Sequence, residues 1–203
     1  MIHNIKPFIA LLLLLAPGCG AISALDSASE PLEVYELRAP SLQTAVRRSR
    51  TELVVEEPTA SGALAVERIM IQPRPLQAQY LPGVRWADTA PTMLQTLLVR
   101  SLTETGALGS VGRRPVGTIA DFAVLSELTD FQAETADGNR GAEIVVRASF
   151  RIVRERDARV IATRTFERRE QADDTGVETI VPAFDRATSA LIAEVVPWIL
   201  GQL

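Results

Sequence analysis

The alternation that begins at Glu143 constrains this chain more than any other feature. Ile144, Val146, Ala148, Phe150 and Ile152 take every second position, set against Glu143, Arg147, Ser149 and Arg151. A period of two held that long describes a strand with one face buried and one wet. The flanking segments fit the same sheet. Phe122 to Glu134 is a long β stretch, and Asp137-Gly138-Asn139-Arg140-Gly141 supplies hairpin chemistry between the two. Asp157-Ala158 then turns the chain into 159–169, where Val160, Ala162 and Phe166 are expected on the buried face.

Within the first of these strands the parity changes. Phe122, Val124 and Leu128 fall on one face and Leu125 and Phe131 on the other, which a central bulge would reconcile. Upstream, strands are predicted at 33–37, 52–56 and 68–72, with short pieces at 76–80 and 84–86 around a Pro82-Gly83 hairpin turn. Residues 59–67 read as a loose helical turn, and 41–50, with Arg47, Arg48 and Arg50, as a polar surface loop. Two helices complete the set. Asp88 and Thr89 offer N-cap oxygens and Pro91 suits a first turn, after which Met93, Leu94, Leu97, Leu98 and Leu102 form one stripe ending at Gly106. Ile180, Val181, Phe184, Ala187, Leu191, Ile192 and Val195 form a second stripe over 178–198. The expected fold is α+β: two layers, a mainly antiparallel sheet with two long amphipathic helices on one face.

The N-terminus carries a different signal. Nine apolar residues, Phe8 to Ala16, follow Lys6 and are closed by Pro17-Gly18-Cys19-Gly20. As a helix they reach only ~14 Å, too short to span a bilayer but the length of a secretory h-region. The segment resembles a bacterial lipoprotein signal, whose cysteine is diacylated, released by a dedicated peptidase and N-acylated, commonly with palmitate. That resemblance implies a signal peptide over 1–18, lipid attachment at Cys19, a flexible tether to residue 32 and one domain over 33–203. An ordinary secreted protein cleaved near Cys19 is the alternative. No later run of the sequence is long enough for a transmembrane helix.

Composition matters chiefly through what leaves with that signal. His3 is the only histidine, Lys6 the only lysine and Cys19 the only cysteine. The mature chain therefore lacks the groups for Ser-His-Asp or Cys-His catalysis, Schiff-base chemistry, a lysine-bearing phosphate loop, or His/Cys-ligated zinc. A carboxylate-only hydrolase stays chemically open. Asp173-Asp174 is the best acidic pair, but as neighbours they read rather as a helix-capping loop. Gly106, Gly109 and Gly112 lack the Lys-Ser/Thr of a phosphate loop and read as loop glycines. Losing Lys6 takes the formal charge from −4 to −5. So acidic a chain has neither the basic footprint of a nucleic-acid binder nor that expected of a protein on anionic headgroups. No enzyme activity and no cofactor are expected.

Further along, Tyr35-Glu36-Leu37 opens the first strand, Arg85-Trp86 precedes the long helix, Ala120-Asp121-Phe122 opens the later strand set, and Phe166 lies in its last hairpin. With the lipoprotein signal and closing helix, this order resembles the ABC-type transport auxiliary lipoproteins, the group that includes PqiC-like proteins, over roughly residues 33–200. The segment 64–68 departs from the family's habitual approach to its third strand. The resemblance implies a non-enzymatic accessory lipoprotein facing the periplasm. Its implied partners are an ABC permease, its ATPase and an MCE-domain protein, in a system moving lipid between two membranes. Gly20 after the cysteine, in place of Asp, favours the outer over the inner membrane. The same anchor and tether would also serve a lipoprotein of peptidoglycan synthesis or outer-membrane assembly, and homo-oligomerisation is left open. Tyr35, Arg85 and Trp86 are the candidate docking residues, Trp86 reading first as a core or helix-staple residue.

Overall fold

Both helices form where the apolar stripes place them. In the computed structural model, which describes residues 31–42, 48–117, 119–135 and 141–203, α1 spans Ala90–Glu104 and α2 spans Val177–Leu200. Thr89 caps α1 by accepting the Thr92 N–H at 3.4 Å, and Pro91 sits in its first turn. Met93, Leu94, Leu97, Leu98 and Leu102 are buried beneath it, and Gly106 turns the chain away at φ +60°. The second stripe is buried likewise from Ile180 to Val195. The signal segment, Cys19, nearly all of the tether, Arg47 and the turn at 137–140 lie outside the described residues.

Among the described residues ten strands accompany them: β1 (Glu33–Tyr35), β2 (Glu52–Val55), β3 (Thr59–Ala60), β4 (Met70–Arg74), β5 (Gln77–Tyr80), β6 (Val84–Trp86), β7 (Ser110–Gly112), β8 (Phe122–Thr135), β9 (Ala142–Arg154) and β10 (Arg159–Ala172). The alternating stretch is β9, and its Ile144, Val146, Ala148, Phe150 and Ile152 are all fully buried. β8 and β10 flank it in antiparallel register. The register of β8 slips between Leu128 and Asp130. That extra residue puts Phe131 and Ala133 into the same core as Val124 and Leu128, so the parity change is resolved by a bulge.

The α+β class and the two helices stand; the mainly antiparallel sheet is corrected to a mixed one. Beyond β8 the order continues β10-β9-β8-β2-β7, and β2 pairs in parallel with both β8 and β7. β3 and β4 also lie parallel to β8, so in strand pairs the parallel contacts outnumber the antiparallel ones. One sheet and two helices is also too simple a layering, because β1 and β6 form a separate parallel pair. Pro82-Gly83 consequently is no hairpin turn. It passes the chain from β5, which pairs with β4, to β6, which pairs with β1.

Three local expectations change too. Residues 59–67 begin with β3 before a single turn, in which Ser61 O accepts from both Leu64 and Ala65 N–H. Val160 is 49% exposed rather than buried, because the β10 register shifts between Val160 and Ala162. The glycine-rich loop contains β7. There Gly109 has a packing reason: a Cβ on it would lie 2.7 Å from the Arg50 carbonyl oxygen. Gly109→Ala must push the β2 and β7 approaches apart, and a loss of about 1–3 kcal/mol is expected in urea unfolding.

Candidate docking surface

The three candidate residues meet in the small β1–β6 sheet. Parallel register sets Tyr35 against Trp86 and Val34 against Arg85. Register partners share a face, so one pair turns to the core and the other away. Trp86 is fully buried, its ring 5.9 Å from Phe131 and 5.3 Å from Phe184. It is a core residue, which leaves no indole surface to offer a partner. Tyr35 packs on the same core, with its hydroxyl donating to Glu33 Oε2 at 2.8 Å. That bond, with the nearby carboxylate charges, holds the phenol above its usual pKa.

On the opposite face Val34 is 52% exposed. Arg85 is half-buried, and its Nη1 donates to Glu67 Oε2 at 2.8 Å and to the Trp86 carbonyl at 3.0 Å. The guanidinium is thus held in place with part of its donor fork still outward. Just beyond β1, the Arg38 N–H and Nε donate to the two Asp185 carboxylate oxygens at 2.9 and 3.0 Å. This pins the segment after β1 to α2. Glu36 meets Arg100 of α1 at 3.5 Å, over a shallow depression that Leu37 and Ala39 also line. Sequence reasoning missed Val34, Arg38 and Asp185. Alternation with Tyr35 could have flagged Val34, whereas nothing local joins residues 38 and 185.

The wet face of the long sheet satisfies its own charges. Arg147 bridges Glu167 and Asp130, and Arg169 bridges Glu143, Glu134 and Glu167. Both arginines hold the Glu167 carboxyl below its usual range, Arg169 most strongly. Ser149 and Thr165 hydroxyls meet at 2.7 Å in the same lattice. Such a face offers few unspent donors to a partner. Of the Asp173-Asp174 pair, Asp174 is structural: its Oδ1 accepts the Gly176 N–H at 2.7 Å and the Thr179 hydroxyl at 2.5 Å, which shapes the turn into α2. Those bonds hold its carboxyl low. Among the described residues no three acidic side chains gather as a cation site.

The chain belongs to the family of ABC-type transport auxiliary lipoprotein components, whose sequence profile matches residues 35–196. It is 30% identical over 172 residues to a protein of Bradyrhizobium diazoefficiens, covering 81% of this chain but only 44% of that relative's length. Its fold is similar to the crystal structure of protein XCC0632 from Xanthomonas campestris, with a TM-score of 0.76 at 24% identity over 83% of this chain and 95% of the other. Protein CT253 of Chlamydia trachomatis is similar at a TM-score of 0.53 and 10% identity, over 76% of this chain and 98% of the other.

Proposed function

We propose that this chain is a non-enzymatic, lipid-anchored accessory subunit of an MCE-type ABC lipid transport system, held at the outer membrane through Cys19. The family match over residues 35–196 carries the reading. The inventory of a mature chain without His, Lys or a second Cys agrees with it. Its partners in this reading are the permease, the ATPase and the MCE-domain protein. The docking element is the outward face of the β1–β6 pair, Val34 and Arg85, with the Tyr35 hydroxyl at its margin. An exposed aliphatic side chain beside an oriented arginine is the mixture that interface anchors favour.

Affinity purification of the full chain from membranes of the producing cell tests both parts. The permease, ATPase and MCE protein are expected to co-purify, and Val34→Glu with Arg85→Glu is expected to reduce their recovery at least about tenfold. Unchanged circular dichroism and urea midpoint would show that the variant keeps its fold. Recovery of peptidoglycan-synthesis or outer-membrane-assembly proteins instead would overturn the transport reading. Undiminished recovery with the double variant would move the docking site elsewhere.

A further inference from the structure

The acidic composition of this chain conceals a basic end. β2 and β8 start side by side, with Asp121 N–H bonded to Glu52 O, while β9 finishes and β10 begins there, Arg154 lying opposite both Phe122 and Arg159. The segment after β7 joins the same end through the Val116 N–H, which donates to Glu52 Oε1. Three stretches distant in sequence thereby bring Arg50, Arg114, Arg156 and Arg159 to this end of the sheet, all exposed. Arg113 is turned away to α1, where it donates to Thr96 Oγ1 at 2.5 Å, and Arg156 lies in the field of Asp157. Arg50, Arg114 and Arg159 make no ion pair among the described residues.

The acids at this end are mostly turned to internal work. Glu52 accepts the Val116 N–H, Asp121 Oδ2 accepts the Glu52 N–H at 2.8 Å, and Asp157 is held by Arg154 at 2.8 Å. Among the described residues at this end, Glu155 is exposed with its carboxylate uncommitted. Between the arginines stand three branched aliphatic side chains in water: Val116 at 82% exposure, Ile119 at 60% and Val160 at 49%. An acidic protein would need only the charges. Apolar tips on two protruding segments, ringed by guanidinium groups, match a surface with anionic headgroups over hydrocarbon.

We infer that this end of the sheet, centred on Arg114, Val116 and Ile119, is a reversible contact site for an anionic lipid surface, separate from the anchor at Cys19. The arginines meet headgroup phosphates while Val116, Ile119 and Val160 enter the acyl boundary. The site belongs to the folded domain and needs neither the anchor nor the transport partners. Its test therefore separates it from the function proposed above.

The probe is co-sedimentation with phosphatidylcholine vesicles, with and without an equal part of phosphatidylglycerol. The protein is the mature chain from residue 19 bearing Cys19→Ala, which keeps the whole compact unit Glu33–Leu203. Binding is expected only with phosphatidylglycerol present and is expected to weaken with salt. Arg114→Ser with Arg159→Ser should lower the partition coefficient on the order of tenfold. Val116→Ser with Ile119→Ser should lower it several-fold while leaving the salt slope unchanged. Both pairs are exposed, and matching circular dichroism spectra would confirm folded variants. Equal binding to both vesicle types, or binding indifferent to both double variants, overturns the proposal. So does an outcome in which vesicles stay unbound while poly-glutamate retains the protein through Arg114 and Arg159, since the end would then read acidic protein.

Discussion

Trp86→Ala is expected to lower the unfolding free energy by about 3–5 kcal/mol, the range for truncating a large buried aromatic. The indole stands at the junction of three elements. Its strand, β6, is held to β1, and its ring meets Phe131 from β8 edge to plane at a 59° tilt and Phe184 from α2 at 82°. Phe131 and Phe184 also touch, with centroids 4.9 Å apart, so the cavity left by alanine would be walled by rings already packed on each other. Rings so constrained cannot collapse far, which places the loss toward the upper part of that range. Urea unfolding followed by far-UV circular dichroism measures it. A loss below about 1 kcal/mol would contradict the burial described here.

Trp86→Phe sharpens the same experiment. The Trp86 Nε1–H is buried and has no hydrogen-bond partner among the described residues. Leaving such a donor unsatisfied costs about 1–3 kcal/mol, and phenylalanine removes it. The smaller ring gives up part of the burial, so the two effects offset and a change within about 1.5 kcal/mol is expected. The alanine variant failing by unfolding while the phenylalanine variant keeps fold and partners would assign Trp86 to the core alone.

What the sequence disclosed depended on how far each pattern reached along the chain. The long elements were legible, because β9 and both helices carry their own period and caps. The β8 bulge was legible from the parity of Leu128 and Phe131 alone. The parallel pairings were not. β1, β6 and β7 are three residues each, too short for a period, and parallel partners are joined by crossovers that leave no turn signature between them. The two readings of Trp86 could not be separated without knowing that Phe131 and Phe184 converge on it. The basic end escaped for a related reason: net charge averages over the chain, whereas three separate segments deliver its arginines to one place. The acidic total of −4 argued against anionic headgroups, yet it describes the composition and not its distribution.

Cys19→Ala, in a chain whose residues 1–18 are exchanged for a conventional cleavable secretory signal, is expected to move the protein from the salt-resistant membrane fraction to the soluble and salt-washable fractions. The exchange matters, because an uncleaved h-region would itself cling to the membrane. The three acyl chains proposed on Cys19, at about 0.8 kcal/mol per buried CH₂, would make an anchor that salt does not release. The contact proposed around Arg114, Val116 and Ile119 rests partly on charge and is screened within a Debye length of about 8–10 Å. A high-salt wash therefore separates the two: wild-type protein stays membrane-bound, while any residual Cys19→Ala protein held through the basic end is washed off. The urea midpoint should not move, since Cys19 lies outside the compact unit Glu33–Leu203. Recovery of transport partners should fall as well, because an anchored subunit meets them at an effective concentration that a soluble one cannot reach. Intact mass spectrometry of the wild-type protein should show an acylated chain beginning at Cys19. An unmodified mass, or a variant that resists the salt wash, would show that something other than this cysteine holds the domain at the membrane.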